Sequence, residues 1–209
     1  MTPDNPFLQA LLAEPDDDTL RLALADWLDE NGQPAWAEFV RIQIELARGV
    51  PDRGHRRRLE LRQRDLLIAH DAEWVAPLAR ILQCRPGRWG GWVFRRGFVE
   101  YFHLHAAVLV AHGERIAALT PVRELFLRPC RSEDVVALCR KRWLGSVTHL
   151  YLEGDPLTVD AQRAMSGCPH LSNLRLLRHR TTSAEIVVVD EFLHRFAAAR
   201  RADTDHNRS

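Results

Sequence analysis

The sequence predicts an α/β chain: an N-terminal α-helical bundle followed by a short array of strand–helix units whose strands form a parallel sheet. Three observations predict it. Apolar residues in the first third recur at three- and four-residue spacing, as on one face of a helix. In the second half, four apolar triplets recur at intervals of 23, 25 and 24 residues, a period that marks stacked supersecondary units. Helix-like stretches separate the triplets, and strands that alternate with helices favour a parallel sheet.

Asn5-Pro6 reads as a helix start, because Asn accepts from free backbone N–H groups and Pro forgoes a donor that the first turn cannot use. Phe7, Leu8, Leu11 and Leu12 then share one face. Asp16, Asp17 and Asp18 place negative charge at the positive end of a second helix. Leu20, Leu24, Trp27 and Leu28 are its apolar stripe, and Asn31-Gly32 stops it. A third helix begins at Gln33-Pro34 and runs through Trp36, Phe39, Val40, Ile42, Ile44 and Leu46 to Gly49. A fourth is expected over about residues 54–82, carrying Leu59, Leu66, Leu67, Trp74, Leu78 and Ile81.

Residues 16–46 contain Asp18, Leu20, Arg21, Ala25, Asp26, Trp27, Leu28, Glu30, Gly32, Ala37, Glu38, Phe39, Arg41 and Gln43. On these residues the segment resembles the repeat-companion domain, an N-terminal module of many bacterial proteins that go on to carry leucine-rich repeats. Ala35-Trp36 departs from the family, which has a shorter or more polar joint there. The resemblance implies a helical companion to repeats, and it implies no catalytic residue.

The four triplets are Val99-Phe102-Leu104, Val122-Leu125-Leu127, Val147-Leu150-Leu152 and Leu171-Leu174-Leu176. Each fits a short strand with its two closely spaced apolar side chains inward. The intervals lie within the leucine-rich-repeat range, so this half resembles a short leucine-rich-repeat-like solenoid. The usual Asn after the strand is absent; Ala107, Cys130, Asp155 and His179 stand in its place. Helices are expected at about 106–118, 133–144 and 159–166, with a last one over about 183–199. Stacked units share a core that no single unit buries. The helical domain, 1–85, would cap one end of the solenoid, 86–200, and the last helix the other, leaving a disordered tail at 201–209.

Side chains alternate across a strand. With the leucines inward, the outward positions are Tyr101, His103 and His105; Glu124, Phe126 and Arg128; His149, Tyr151 and Glu153; and Asn173, Arg175 and Leu177. Tyr and Arg are enriched at binding hot spots. The concave strand face is therefore the candidate surface for another protein, and the expected function is non-enzymatic protein–protein recognition, as an adaptor.

The alternative is a nucleic-acid-binding accessory subunit. Arg56, Arg57, Arg58 and Arg62 on the basic helix 53–64 would track phosphates, and Arg88 with Trp89 in the Arg/Trp segment 85–96 would stack on bases. Asp52, Glu60 and Asp65 dilute the helix, and a net charge of +1 supplies no global field for a polyanion. All basic residues but Lys141 are Arg, a bias that a GC-rich genome alone produces. Residues 1–45 carry a net −8 and residues 46–100 a net +6, which reads as mutual attraction within one domain or, less favoured, as two surfaces for different partners.

Other chemistries carry less. His103, His105 and His149 would suit a metal, but nothing in the sequence supplies partners for their rings. Cys168-Pro169-His170 pairs thiol and imidazole in a turn that rarely gives nucleophile–base geometry. Asp26 and Glu30 share a helix face with Arg21 and Arg41 nearby, which reads as ion pairing. No phosphate loop, HExxH or GxSxG occurs. No catalytic residue, metal or cofactor is expected, and the four cysteines, without CxxC spacing, read as buried free thiols. No stretch approaches the roughly 20 apolar residues of a membrane span, and the N-terminus has no basic start or long apolar run. A cytoplasmic location is expected.

Overall fold

The structure is a computed structural model that describes residues 2–83, 91–181 and the strand 186–188. Its first helices are α1 (Pro6–Ala13), α2 (Asp18–Glu30), α3 (Pro34–Arg48), α4 (Arg53–Trp74) and α5 (Ala76–Leu82). The Asn5 side chain accepts from the Leu8 N–H at 3.0 Å, and Asp17 from Thr19 at 2.6 Å. The single helix expected over 54–82 is two, parted at Val75. Pro77 is the cause: it has no N–H to continue α4, and its ring would meet the carbonyl four residues back.

The chain forms two compact units, Met1–Tyr101 with Arg115–Pro121, and Phe102–Glu114 with the chain from Val122 onward. In the first, Leu8, Leu11, Leu24, Leu28, Val40 and Ile44 pack with Phe98. A second cluster joins Phe39, Ile42, Leu66 and Trp74, with the Phe39 and Trp74 rings 4.9 Å apart. Charges of opposite sign meet within this unit, Arg48 with Asp18 at 3.0 Å and Arg62 with Glu38 at 2.6 Å, and the His55 Nε2 lies 2.6 Å from the Glu45 carboxylate.

Strands β1 (Gly91–Arg95) and β2 (Phe98–Leu104) are joined by the two-residue turn Arg96-Gly97. Both turn residues have positive φ, +48° and +92°, the combination that matches a tight hairpin to the twist of its strands. A Cβ at position 97 would overlap the side chain of Val40, so the site needs glycine twice over. Helices α2 and α3 hold the turn by its polar groups. The fully buried Arg21 donates to the Arg96 carbonyl at 2.9 Å, to the Pro15 carbonyl at 2.6 Å and to Glu100 at 2.6 Å. The Gln43 side chain accepts from the Gly97 N–H at 2.7 Å, and the Trp36 indole donates to the Gly97 carbonyl at 3.0 Å.

The second unit holds the end of β2, α6 (Ala106–Ala117) as far as Glu114, β3 (Glu124–Leu127), α7 (Ser132–Leu138), β4 (His149–Gly154), α8 (Val159–Ser166), β5 (Leu176–Thr181) and β6 (Ile186–Val188). Strands β2 to β6 lie side by side in chain order. Strands β3, β4 and β5 are parallel, and β6 runs antiparallel to β5. Leu125, Leu150 and Leu177 are register partners, as are Leu127 and Leu152, and all five are buried. Val135 and Leu138 of α7 and Ala161 and Met165 of α8 are buried with them. One backbone pattern recurs: the Arg123 carbonyl accepts from the N–H groups of Thr148 and His149, and the Thr148 carbonyl from those of Arg175 and Leu176. At Gly154 a Cβ would overlap the backbone of Cys130, whose N–H donates to the Glu153 carbonyl.

The fourth strand differs from expectation. Leu174 and Leu177 are the buried pair, whereas Leu176 is half-exposed. Leu171 ends a 3-10 turn, Pro169–Leu171, and so matches Leu144 in the earlier 3-10 turn Arg142–Ser146. The step from Leu150 to its partner Leu177 is 27 residues. The Arg142–Ser146 turn also replaces the last part of the helix expected over 133–144. Residues 186–188, expected in a helix over 183–199, are strand; Ile-Val-Val is a β-branched run that fits a pleated surface better than a helix. The rest of that helix and the tail 201–209 lie outside the described residues.

Candidate partner-binding face of the second unit

Burying the leucines of β3, β4 and β5 on one side of the sheet turns the alternate residues to the other. His103, Phe126, Tyr151 and Arg178 form a row across four strands. The His103 and Phe126 rings meet edge-on with centroids 4.6 Å apart. Phe126 and Tyr151 are register partners with rings 6.2 Å apart at 24°. The Arg178 guanidinium lies 6.0 Å over the Tyr151 ring, and the two residues are again register partners. Towards the strand starts lie Glu124, His149 and Leu176, in register with one another. Towards the strand ends Arg128 reaches Glu153 at 3.2 Å, and Arg180 is the register partner of Glu153. The Glu153 side chain is 12% exposed and that of Arg128 63%.

The other expected outward residues fall elsewhere. Tyr101 lies in the half of β2 that belongs to the first unit. His105 is exposed just past β2. Asn173 precedes β5, and its amide donates to the Gly145 carbonyl at 2.6 Å. Arg175 is exposed immediately before β5, and Leu177 is buried rather than outward. Arg178 and Arg180 take their places on the face. The signal for this register was present, since Leu174 and Leu177 repeat the spacing of Val147 and Leu150; His179 in place of a third leucine hid it.

The arginines proposed for phosphate are largely engaged by the protein. Arg56 donates to the Val50 carbonyl at 2.6 and 3.1 Å, Arg57 lies 3.7 Å from Glu60, and Arg62 makes two bonds to Glu38 at 2.6 and 2.7 Å. The bond from Arg62 holds the Glu38 carboxyl below its ordinary range. Arg58 is exposed on α4. Arg88 and Trp89 lie outside the described residues. Arg41 pairs with Asp26 at 2.7 Å and with Asp29 at 2.6 Å. Among the described residues no three His, Cys, Asp or Glu side chains are grouped to hold a metal, and His103, His105 and His149 form no such set. The His149 Nδ1 is 2.9 Å from the Thr148 hydroxyl.

Three described cysteines are free thiols. Burial pushes Cys130 up to about 12. The Cys168 sulfur lies 3.2 Å from the Cys139 carbonyl, and a hydrogen bond with the Cys139 thiol brings Cys168 down to about 7. That same bond, then burial, pushes Cys139 up. His170 acts on Cys168 through its backbone.

The first unit also contains a cavity of about 300 Å³, lined in part by Trp36, Trp74, Arg80, Phe94, Phe98 and Thr120. Its walls come from separate stretches of chain, which periodicity does not bring together. Among the described residues no helix is long and apolar enough to cross a membrane. Comparison of the chain with protein-family models, curated proteins and solved structures found no match.

Proposed function

We propose that the chain recognises another protein, without catalysis, through the outward face of β2 to β5, and so acts as an adaptor. The observation that carries this reading is the row His103, Phe126, Tyr151 and Arg178, continuous over four strands. Aromatic and Arg side chains are the anchors that dominate interface energies, and charged residues at their margins suit a polar rim. Anchors already packed on one another lose little further freedom on binding, which favours affinity.

The same proposal takes the second half as a short leucine-rich-repeat-like solenoid and the N-terminal helices as a repeat-companion domain. Support for the first comes from the parallel strands separated by helices and from the recurring carbonyls of Arg123 and Thr148. Support for the second comes from Arg21 and Gln43, two residues of the resemblance, which are spent on holding the hairpin turn. The nucleic-acid reading is weaker, because Arg56, Arg57 and Arg62 already have protein partners.

The test is an affinity capture from nuclease-treated native lysate with wild type and with Phe126→Ala/Tyr151→Ala, folding being checked by circular dichroism. A protein retained by wild type and lost by the double variant is the expected result. A partner that persists in the variant would move the site off this face, and capture abolished by nuclease would transfer the reading to nucleic acid.

A further inference from the structure

Among the described residues, charge on the proposed face is lopsided. The strand ends and the margin on β5 bring together Arg128, Arg178 and Arg180, against the carboxylates of Glu124 and Glu153. Glu153 is largely buried and already bonded to Arg128. Arg180 stands across from it in register, where that carboxylate is committed. Among the described residues Arg178 and Arg180 have no carboxylate partner, and both are exposed. The Arg178 guanidinium rests on the Tyr151 ring, which leaves its N–H edge for an acceptor beyond the ring.

From this asymmetry we infer that the partner presents an acidic, extended segment, laid across the strands with its carboxylates over the β5 margin. This rests on the reading of the face as a protein-recognition surface and adds the chemistry of what it recognises. Three steps between strands cover about 14 Å, the length of about four extended residues. One end of such a segment would pack on Phe126 and Tyr151, and the other would place carboxylates within reach of Arg178 and Arg180. Arginine suits that role, because its planar fork takes a carboxylate by two parallel bonds while its flat side stays on the aromatic ring. A basic segment would meet repulsion at the same place.

The test uses the full chain and a fluorescent random Glu/Tyr copolymer, with poly-Lys and an oligo-dT single strand as comparisons, read by anisotropy. Variants are Arg178→Glu/Arg180→Glu and Phe126→Ala/Tyr151→Ala, each checked for an unchanged thermal melt. The expected result is binding of the copolymer and not of poly-Lys, weakened about tenfold or more by the arginine reversal, and weakened again between about 50 and about 200 mM salt. No copolymer binding by wild type, or equal binding by the arginine variant, overturns the acidic segment. Equal or tighter binding of oligo-dT, lost in the same variant, overturns it in favour of a nucleic-acid surface. If the aromatic variant alone loses the lysate partner, the face stands and only the acidic segment falls; if neither variant loses it, both readings fall.

Discussion

Arg21 and Glu100 meet at 2.6 Å with side chains 0% and 3% exposed, and they join α2 to β2 across 79 positions of sequence. Arg21 also satisfies the carbonyls of Arg96 and Pro15, so one side chain serves three acceptors in a place that water does not reach. Replacing it with Met takes the nearest cation from the buried Glu100 and leaves the more distant Arg96, at 3.5 Å. The Arg21→Met variant is expected to lose up to about 3–5 kcal/mol of unfolding free energy, the usual penalty for removing one partner of a buried ion pair. Urea denaturation measures it, and Arg21→Met/Glu100→Leu should recover part of the loss. A single variant as stable as wild type would show that the pair is not formed.

Gly97→Ala tests the turn that Arg21 serves. Alanine there meets Val40 and adopts a φ near +92°. A cost of at least about 1–3 kcal/mol is expected from the backbone term alone. Val40→Ala removes the nearest methyl but leaves the Val40 Cβ and Cα at 2.9 and 3.0 Å, so it should return only part of the steric share. Equal thermal melts for wild type and Gly97→Ala would rule out the tight hairpin.

The Cys130 thiol gives an alkaline signature. Unfolded, it ionises near 9.0; folded, burial delays ionisation to about 12. The group therefore binds its proton more tightly when folded, and its contribution is complete below pH 9 and lost as pH rises through about 12. The slope over that window is up to about 1.4 kcal/mol per pH unit. Stability measured against pH should fall less steeply in Cys130→Ala than in wild type, and identical slopes would refute the assignment.

Cys139 and Cys168 should titrate as neighbours. With the Cys139 thiol removed by Cys139→Ala, Cys168 loses the bond that brings it to about 7, and its ionisation should move up towards that of an ordinary thiol. Thiolate absorbance between pH 6 and 10 reads the change. A Cys168 titration unaltered by the substitution would mean that the two sulfurs do not interact.

Much of this architecture was legible in the sequence where local rules act alone. Asn5 and Asp17 cap helices as their side chains dictate, and the leucines of β3 and β4 point inward as their spacing requires. Reading failed where a single residue changed the count. Pro77 split one helix, the 3-10 turn at 142–146 took the end of another, and the one at 169–171 took Leu171, which an even period assigns to a strand. The slip at β5 matters most for the face, since it exchanged Arg178 and Arg180 for Asn173 and Arg175. The roles of Arg21, Gln43 and Trp36 were hidden for another reason: their partners are backbone groups about 50 to 75 positions away, and no residue pattern announces a carbonyl.

The direction of β6 sets a limit on the array. Its three residues occupy the edge of β5 and run the opposite way. Another strand–helix unit of the same hand would need that edge for a parallel neighbour, and it finds it taken. Among the described residues β6 borders the sheet with only three residues, a stretch with few backbone groups in line to pair with strands of other molecules. The reversal thus closes the run of parallel pairing among the described strands at β5.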